Sequence, residues 1–283
     1  MCHLQTRLIL IAIVIVPSPA IAHGGPNSDA EGSWDVGRKL SVGIAVGIER
    51  FDTNFKFTEK STGRSAFIDA EGTLGLPETD VVPILYGYWK PGKRHGLGFS
   101  YFQIDRETTL LAIDENLGDL NVTGDVNLSD RTRFYSLTYN FTAFQDERAN
   151  VFALFGLYGL DFKYRLDATG TINFQGNPIS SGEYSAEVKQ FVPLPMVGID
   201  AWFAFTPRWA LGTKVAFVTG KFGDVSGTVL ESTIRAKYAF NKNFGVLFGI
   251  NYFDGAIDID DDDLKTEINY GFDGLAFGID VGF

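Results

Sequence analysis

The chain is poor in the side chains that most often carry chemistry. It has one cysteine, Cys2, and three histidines, His3, His23 and His95. A single cysteine excludes an internal disulfide framework. Beyond residue 22 no stretch of eighteen consecutive apolar residues occurs, which excludes a transmembrane helix of ordinary length. No sustained 3.6-residue periodicity occurs, so long amphipathic helices are not expected. Cations are scarce: 24 Lys and Arg stand against 35 Asp and Glu, a net charge of −11. That balance excludes the basic surface that nucleic acid requires. Gly96-Leu97-Gly98 lies in a strand-like segment with no helix after it, so it is not a phosphate loop.

The N-terminus reads as an export signal spanning residues 1–22. Arg7 supplies the positive region, LILIAIVIV the apolar region, and Ala20-Ile21-Ala22 the cleavage pattern. Cys2 precedes the apolar run and would leave with the signal. Removing residues 1–22 removes one cation, Arg7, so the net charge of −11 becomes −12. Residues 23–38 form a polar leader. An exported chain without disulfides must be held by its backbone ladder and its packing.

From residue 39 to residue 283 the text alternates with period 2, the mark of β-strands. LSVGIAVGI sets Leu40, Val42, Ile44, Val46 and Ile48 opposite Ser41, Gly43, Ala45 and Gly47. The C-terminal GLAFGIDVGF sets Leu275, Phe277, Ile279, Val281 and Phe283 opposite glycines, Ala276 and Asp280. Short polar turns flanked by aromatic residues centre near 92, 146, 207 and 242. Longer polar stretches cover 55–78, 107–130, 167–186, 222–228 and 254–265. Rings gathered at turns, and short turns alternating with long loops, suit a membrane barrel. The expected fold is all-β: a transmembrane antiparallel up-and-down barrel of about ten strands, with eight or twelve as alternatives. The hairpin pairs 52–60/64–74 and 107–113/119–128 would extend beyond the membrane. Pro83, Pro193 and Pro195 each remove a ladder donor and are expected near bulges or high in descending strands. In GFSYFQIDR the alternation slips after Tyr101, which predicts a bulge near 102–103.

With its signal peptide, dyad strands, aromatic-flanked turns and terminal Phe283, the chain resembles the small β-barrel outer-membrane proteins of Gram-negative bacteria. The resemblance covers nearly the whole chain after the signal, without pointing to one subfamily. It implies an outer-membrane location and both termini in the periplasm. It also implies outer-membrane lipid and lipopolysaccharide as partners. Leu275, Phe277, Ile279, Val281 and Phe283 would be read by the barrel-assembly machinery as the assembly signal. Known barrel enzymes of this class are similar to Ser/His or Asp/His hydrolases; here His95 follows a short turn, and nothing near it makes a triad pattern.

The candidate lumen charges are Glu49, Asp161, Lys163, Arg165, Asp200, Lys214, Arg235, Lys237 and Asp280. Both signs share the presumed inward face, so they either pair into a plug or line a narrow pore. Asp258, Asp260 and Asp262 in the acidic run could touch a divalent cation, but the run lacks the glycine and terminal glutamate of a calcium loop. No metal, cofactor or catalytic residue is expected. The sequence points to a non-enzymatic barrel, structural or a narrow passive pore for small polar solutes. A surface-binding barrel acting through its loops is the alternative, and a hydrolase is a second.

Overall fold

The computed structural model describes residues 39–63, 65–117, 120–174, 177–262 and 264–283. The expected signal and leader, 1–22 and 23–38, lie outside the described residues. The strands are β1 (Leu40–Glu59), β2 (Ser65–Asp69), β3 (Thr79–Trp89), β4 (His95–Leu117), β5 (Leu120–Gln145), β6 (Ala149–Phe174), β7 (Asn177–Ala204), β8 (Trp209–Phe222), β9 (Val225–Ala239), β10 (Phe244–Asp260) and β11 (Leu264–Gly282). Each long strand pairs antiparallel with its neighbour in sequence, and β11 closes on β1 from Ser41↔Gly282 to Glu59↔Leu264. The ring therefore has ten strands, β1 and β3 to β11, with β2 lying outside the ring order beside upper β1. Closure pairs the backbone groups along the ring, as a segment crossing hydrocarbon requires.

The short connections and the chain ends share one end of the barrel, here called the lower end. There Leu40 N–H donates to the Phe283 carbonyl at 3.3 Å, and Phe283 N–H to the Leu40 carbonyl at 2.8 Å. The stretches 107–130 and 167–186, read as loops or partial hairpins, are strand almost throughout. There β4 runs to Leu117 and β5 starts at Leu120, and β6 runs to Phe174 and β7 starts at Asn177.

The faces of each strand exchange character partway up. Low on β1, Leu40 to Ile48 point outward at alternate positions and are exposed, while Gly43, Ala45, Gly47 and Glu49 point inward. Above Arg50 the same parity holds but the chemistry reverses: Phe51, Thr53 and Phe55 are buried inside, and Arg50, Asp52 and Lys56 face out. On β11, Leu275, Phe277 and Ile279 are exposed outward, whereas higher up Phe272, Tyr270 and Ile268 are buried and Asp273 faces out. The lower half is thus a membrane barrel with an apolar outer belt. The upper half is a water-exposed barrel with an apolar interior.

This reversal explains the slip in GFSYFQIDR. The expected bulge at 102–103 is absent: β4 pairs with β5 without a shift from His95↔Phe141 to Leu110↔Val126. Ser100, Phe102, Ile104 and Arg106 continue one inward set. Only the side of the wall that is apolar changes. The irregularity in β4 lies between Leu110 and Ile113 instead.

The upper interior is filled. Phe134 of β5 and Phe253 of β10 stand on opposite sides of the ring, yet their ring centroids are 5.3 Å apart. Phe102 stacks on Phe134 at 4.3 Å and Phe253 on Phe272 at 4.7 Å, with Tyr158 and Tyr270 at the edges. Such pairs contribute about 0.5–1.5 kcal/mol each beyond their burial. The chain from 70 to 78, between β2 and β3, adds buried Ala70, Leu74 and Leu76 to the same core.

Pro83, Pro193 and Pro195 sit just above the end of a ladder, while Pro178 stands at the upper start of β7. β3 pairs with β4 only over Ile84–Trp89, and Pro83 comes directly before. β7 pairs with β8 only over Met196–Ala204, and Pro193 and Pro195 come directly before. Both strands run from the upper end to the lower, so the prolines lie high on descending strands, where a missing donor breaks no bond to β4 or β8. Above these two seams β4 to β7 continue as a tall four-stranded blade. Gly124 and Gly170 face each other across it with φ of 141° and 148°, and Gly182 is the next partner of Gly170. A Cβ on Gly124 or Gly170 would strike the backbone of the opposite strand, so only glycine fits at these two facing positions.

Truncating Phe134 or Phe253 to alanine should lower stability by about 3–5 kcal/mol, as for other buried rings. The outward belt residue Phe155, 51% exposed, should cost far less on truncation in detergent. Denaturant unfolding followed by heat-modifiable gel migration measures both.

Candidate functional site: the lumen and its two halves

The interior below the aromatic layer holds a chamber of about 340 Å³. It reaches from Ser41, Tyr88 and Asn150, near the lower strand ends, up to Ile104, Phe253 and Phe272 at the level of the aromatic layer. One wall, β7 to β11, carries three ion pairs, and Glu49 of β1 is the seventh charge of the chamber. Lys237 Nζ donates to Asp280 Oδ2 at 2.5 Å, Arg235 Nη2 to Asp200 Oδ1 at 2.5 Å, and Lys214 Nζ to Glu231 Oε1 at 2.8 Å. The opposite wall, β3 to β6, presents Tyr86, Tyr88, Ser136, Thr138, Asn140 and Phe152.

The ion pairs depend on the strands between their partners. Lys237 on β9 reaches Asp280 on β11 across Gly245 of β10, and a Cβ there would strike both side chains. Arg235 reaches from β9 to Asp200 on β7 across β8, and its guanidinium lies over the Trp202 ring at 4.5 Å. Each pair is held in part by its neighbours, the condition under which an interior ion pair offsets its desolvation.

Of the candidate lumen charges, Glu49, Asp200, Lys214, Arg235, Lys237 and Asp280 turn inward and line this chamber. Asp161, Lys163 and Arg165 do not, which corrects the sequence reading. They lie on β6 above the reversal, where Leu160, Phe162 and Tyr164 are buried and the charges face out. There Asp161 meets Arg133 at 3.4 Å, Lys163 meets Glu187 at 3.3 Å, and Arg165 meets Asp167 at 2.7 Å. Together with Arg50–Asp273 at 2.9 Å and Arg131–Asp105 at 3.1 Å they form a charged collar above the apolar belt.

Three residues of the interior were missed from sequence: Glu71, Arg106 and Asp130. Arg106 is fully buried, and its Nη2 donates to Asp130 Oδ2 at 2.7 Å and Thr53 Oγ1 at 3.0 Å. Its Nη1 donates to Glu71 Oε1 at 2.5 Å, and Thr132 Oγ1 donates to Asp130 Oδ1 at 2.7 Å. Arg106 also lies over the Phe51 ring at 4.3 Å. Burial works against the Arg106 charge, but Tyr270, Asp130 and Glu71 outweigh it and hold its pKa above the ordinary value. Glu71 belongs to the segment between β2 and β3, so this cluster ties that segment into the barrel mouth. The available signal was Arg106 on the inward parity of Phe102 and Ile104, hidden by the supposed slip.

The remaining candidates are peripheral. Asp258 meets Lys265 at 3.6 Å and Asp260 meets Lys60 at 2.9 Å. The Asp262 backbone N–H donates to Asp261 Oδ1 at 2.7 Å. Among the described residues no group of three or more His, Cys, Asp and Glu could hold a metal ion. His95 sits at the lower start of β4, bonded to Tyr139 Oη at 2.6 Å on the outer face. Leu275, Phe277 and Ile279 are outward in the belt, and Phe283 is 69% exposed at the lower rim.

No protein-family model matches the sequence, and no curated protein sequence matches it. Among solved structures the chain is similar to the outer membrane protease OmpT of Escherichia coli. The match has 11% identity, covers 86% of this chain and 96% of that one, and has a TM-score of 0.57. The translocator domain of the autotransporter NalP from Neisseria meningitidis matches at 11% identity, over 84% and 88% of the two chains, with a TM-score of 0.42. The toluene transporter TodX of Pseudomonas putida matches at 9% identity, over 87% and 90%, with a TM-score of 0.34.

Replacing Arg106 by alanine should cost about 3–5 kcal/mol, because Asp130 and Glu71 are left as uncompensated buried carboxylates. Denaturant titration of the folded barrel measures it. On the outer surface, Lys60 holds Asp260, and Lys56 and Lys265 hold Glu267, below the usual carboxylate range. Lowered folded values mean that these pairs stabilise β10 and β11, chiefly against β1, above pH 3.8 and 4.5, the ordinary values. That contribution is lost as pH falls through the lowered values. Hydrogen-exchange protection factors along residues 254–262 and 264–267 should therefore fall in acid, while those of the belt strands hold. At 11% identity the OmpT likeness speaks to the fold alone, and the fold of this chain is an antiparallel up-and-down β-barrel of the outer-membrane type.

Proposed function

We propose that the protein is a non-conducting barrel of the outer membrane that acts by surface binding through the blade of β4 to β7. The lower end, with its short turns and chain ends, faces the periplasm, and the blade faces outward from the cell. The observation that carries this reading is the contact of Phe134 with Phe253 across the ring. A lumen bridged by stacked rings offers no polar path to a solute. The other conspicuous investment of chain is the blade. From Leu157 in the belt, β6 runs on to Phe174, roughly 55 Å of strand at about 3.3 Å per residue. Its upper sequence, TGTINFQGNPISSGEYS, is rich in small polar residues that suit adaptable hydrogen bonding rather than a packed core.

A narrow pore is the second reading, favoured by the charged chamber below the aromatic layer. A hydrolase is weaker. OmpT is a protease, but similarity of fold does not transfer an activity, and His95 lies at the lower rim on the outer face.

Reconstituted in a planar bilayer, the protein should show no channel events. Steady conductance would overturn the closed reading and restore the pore. Replacing residues 113–124 and 170–182 with short turns should leave heat-modifiable folding intact and abolish adherence of cells that display the protein. A truncated barrel that adheres as well as the intact one would remove the blade from the function.

A further inference from the structure

The lower chamber contains more acid than base. Of its seven charged residues, Asp200 pairs with Arg235, Glu231 with Lys214 and Asp280 with Lys237. Glu49 is left over. It is 2% exposed, and among the described residues no cation stands within salt-bridge distance of it. Asn251 Nδ2 donates to its Oε1 at 3.0 Å, and its Oε2 has no partner. Around the same chamber Asn140 Oδ1 and Asn150 Oδ1, on residues 8% and 4% exposed, are also buried without a donor. Two donors of the chamber, Tyr88 Oη and Arg235 Nε, also lack a partner, so its unpaired polar atoms are mostly, not wholly, acceptors. The walls also supply rings: Tyr86, Tyr88, Phe152 and Trp202.

Burying a lone carboxylate is costly unless a cation or donors meet it. A cavity of about 340 Å³ with mostly ring and aliphatic walls and a few convergent polar atoms matches the build of small-molecule sites. The geometry points to a binding site for a small organic cation: a primary amine carrying an aromatic or apolar body. Its ammonium group bonds Glu49 Oε2 and its body lies among the rings. The chamber reaches Ser41, Tyr88 and Asn150 near the lower strand ends, while the stacked rings close it above, so the amine enters from the lower, periplasmic end. This site is independent of the blade and of any surface partner.

The test uses the purified full barrel in detergent, with phenethylamine as probe and phenethyl alcohol as its uncharged counterpart. Titration calorimetry and tryptophan fluorescence report occupancy. Saturable amine binding is expected, with a change in tryptophan emission and with the alcohol binding at least about tenfold more weakly. Glu49→Gln keeps the shape and the acceptor for Asn251, so the variant should fold, as heat-modifiable migration checks. It should lose about tenfold or more in amine affinity. A second variant, Asn140→Asp, adds an acceptor charge to the chamber and should bind the amine more tightly. Absence of saturable binding overturns the proposal, as does equal binding of amine and alcohol, or unchanged affinity in folded Glu49→Gln.

Discussion

Each long strand of this barrel must satisfy two surroundings in succession, and everything else follows from how it does so. In hydrocarbon the outer face must be apolar. Above the membrane the outer face must be wettable, and the apolar residues then have only the interior left. The parity of β1 never changes, yet Ile48 is outside and Phe51 inside. The reversal divides the barrel into two stacked halves with opposite cross-sections, a lower one with a closed ring of hydrogen bonds and an upper one whose ring parts at two seams. The upper one is a packed core, and it closes the lumen of the lower.

The closure has consequences for polar groups on both sides. Below it, charged residues keep company with neighbours over glycines, as Lys237 and Asp280 do over Gly245. Within it, Arg106 is admitted only because Asp130, Glu71 and Thr53 occupy its donors. The buried cluster does structural service as well, since Glu71 brings the segment before β3 against the core. The two places where the upper ring parts, between β3 and β4 and between β7 and β8, are where Pro83, Pro193 and Pro195 stand. The blade between these seams is the part of the fold with least core to fill and most surface to offer.

Function divides along the same line. The outer-membrane reading rests on the belt and the closed ring. The surface-binding reading rests on the blade and on the blocked upper lumen, and the amine site on one unpaired carboxylate in the chamber beneath it. None of the three draws on the OmpT likeness beyond architecture, because at 11% identity only the backbone arrangement is shared.

The period-2 alternation seen in LSVGIAVGI and GLAFGIDVGF, and repeated along the chain, pointed by itself to a membrane barrel of about ten strands, with eight or twelve open, and the aromatic-flanked turns marked its short connections. It also placed Glu49 and Asp280 inside, because in the belt an apolar face has one destination, the lipid. Only the tertiary structure decided the upper half. Period-2 alternation separates two faces without saying which is inside, and an apolar face suits lipid as well as a packed core. Asp161, Lys163 and Arg165 therefore read as lumen residues when they are collar residues. Arg106 and Phe102 read as a slip in parity when they continue it. The long polar stretches read as loops because wettable strands look like loops once both faces carry polar residues. The pairing of Phe134 with Phe253 joins residues far apart in the chain, so nothing local records it; the diameter of the closed ring brings them together.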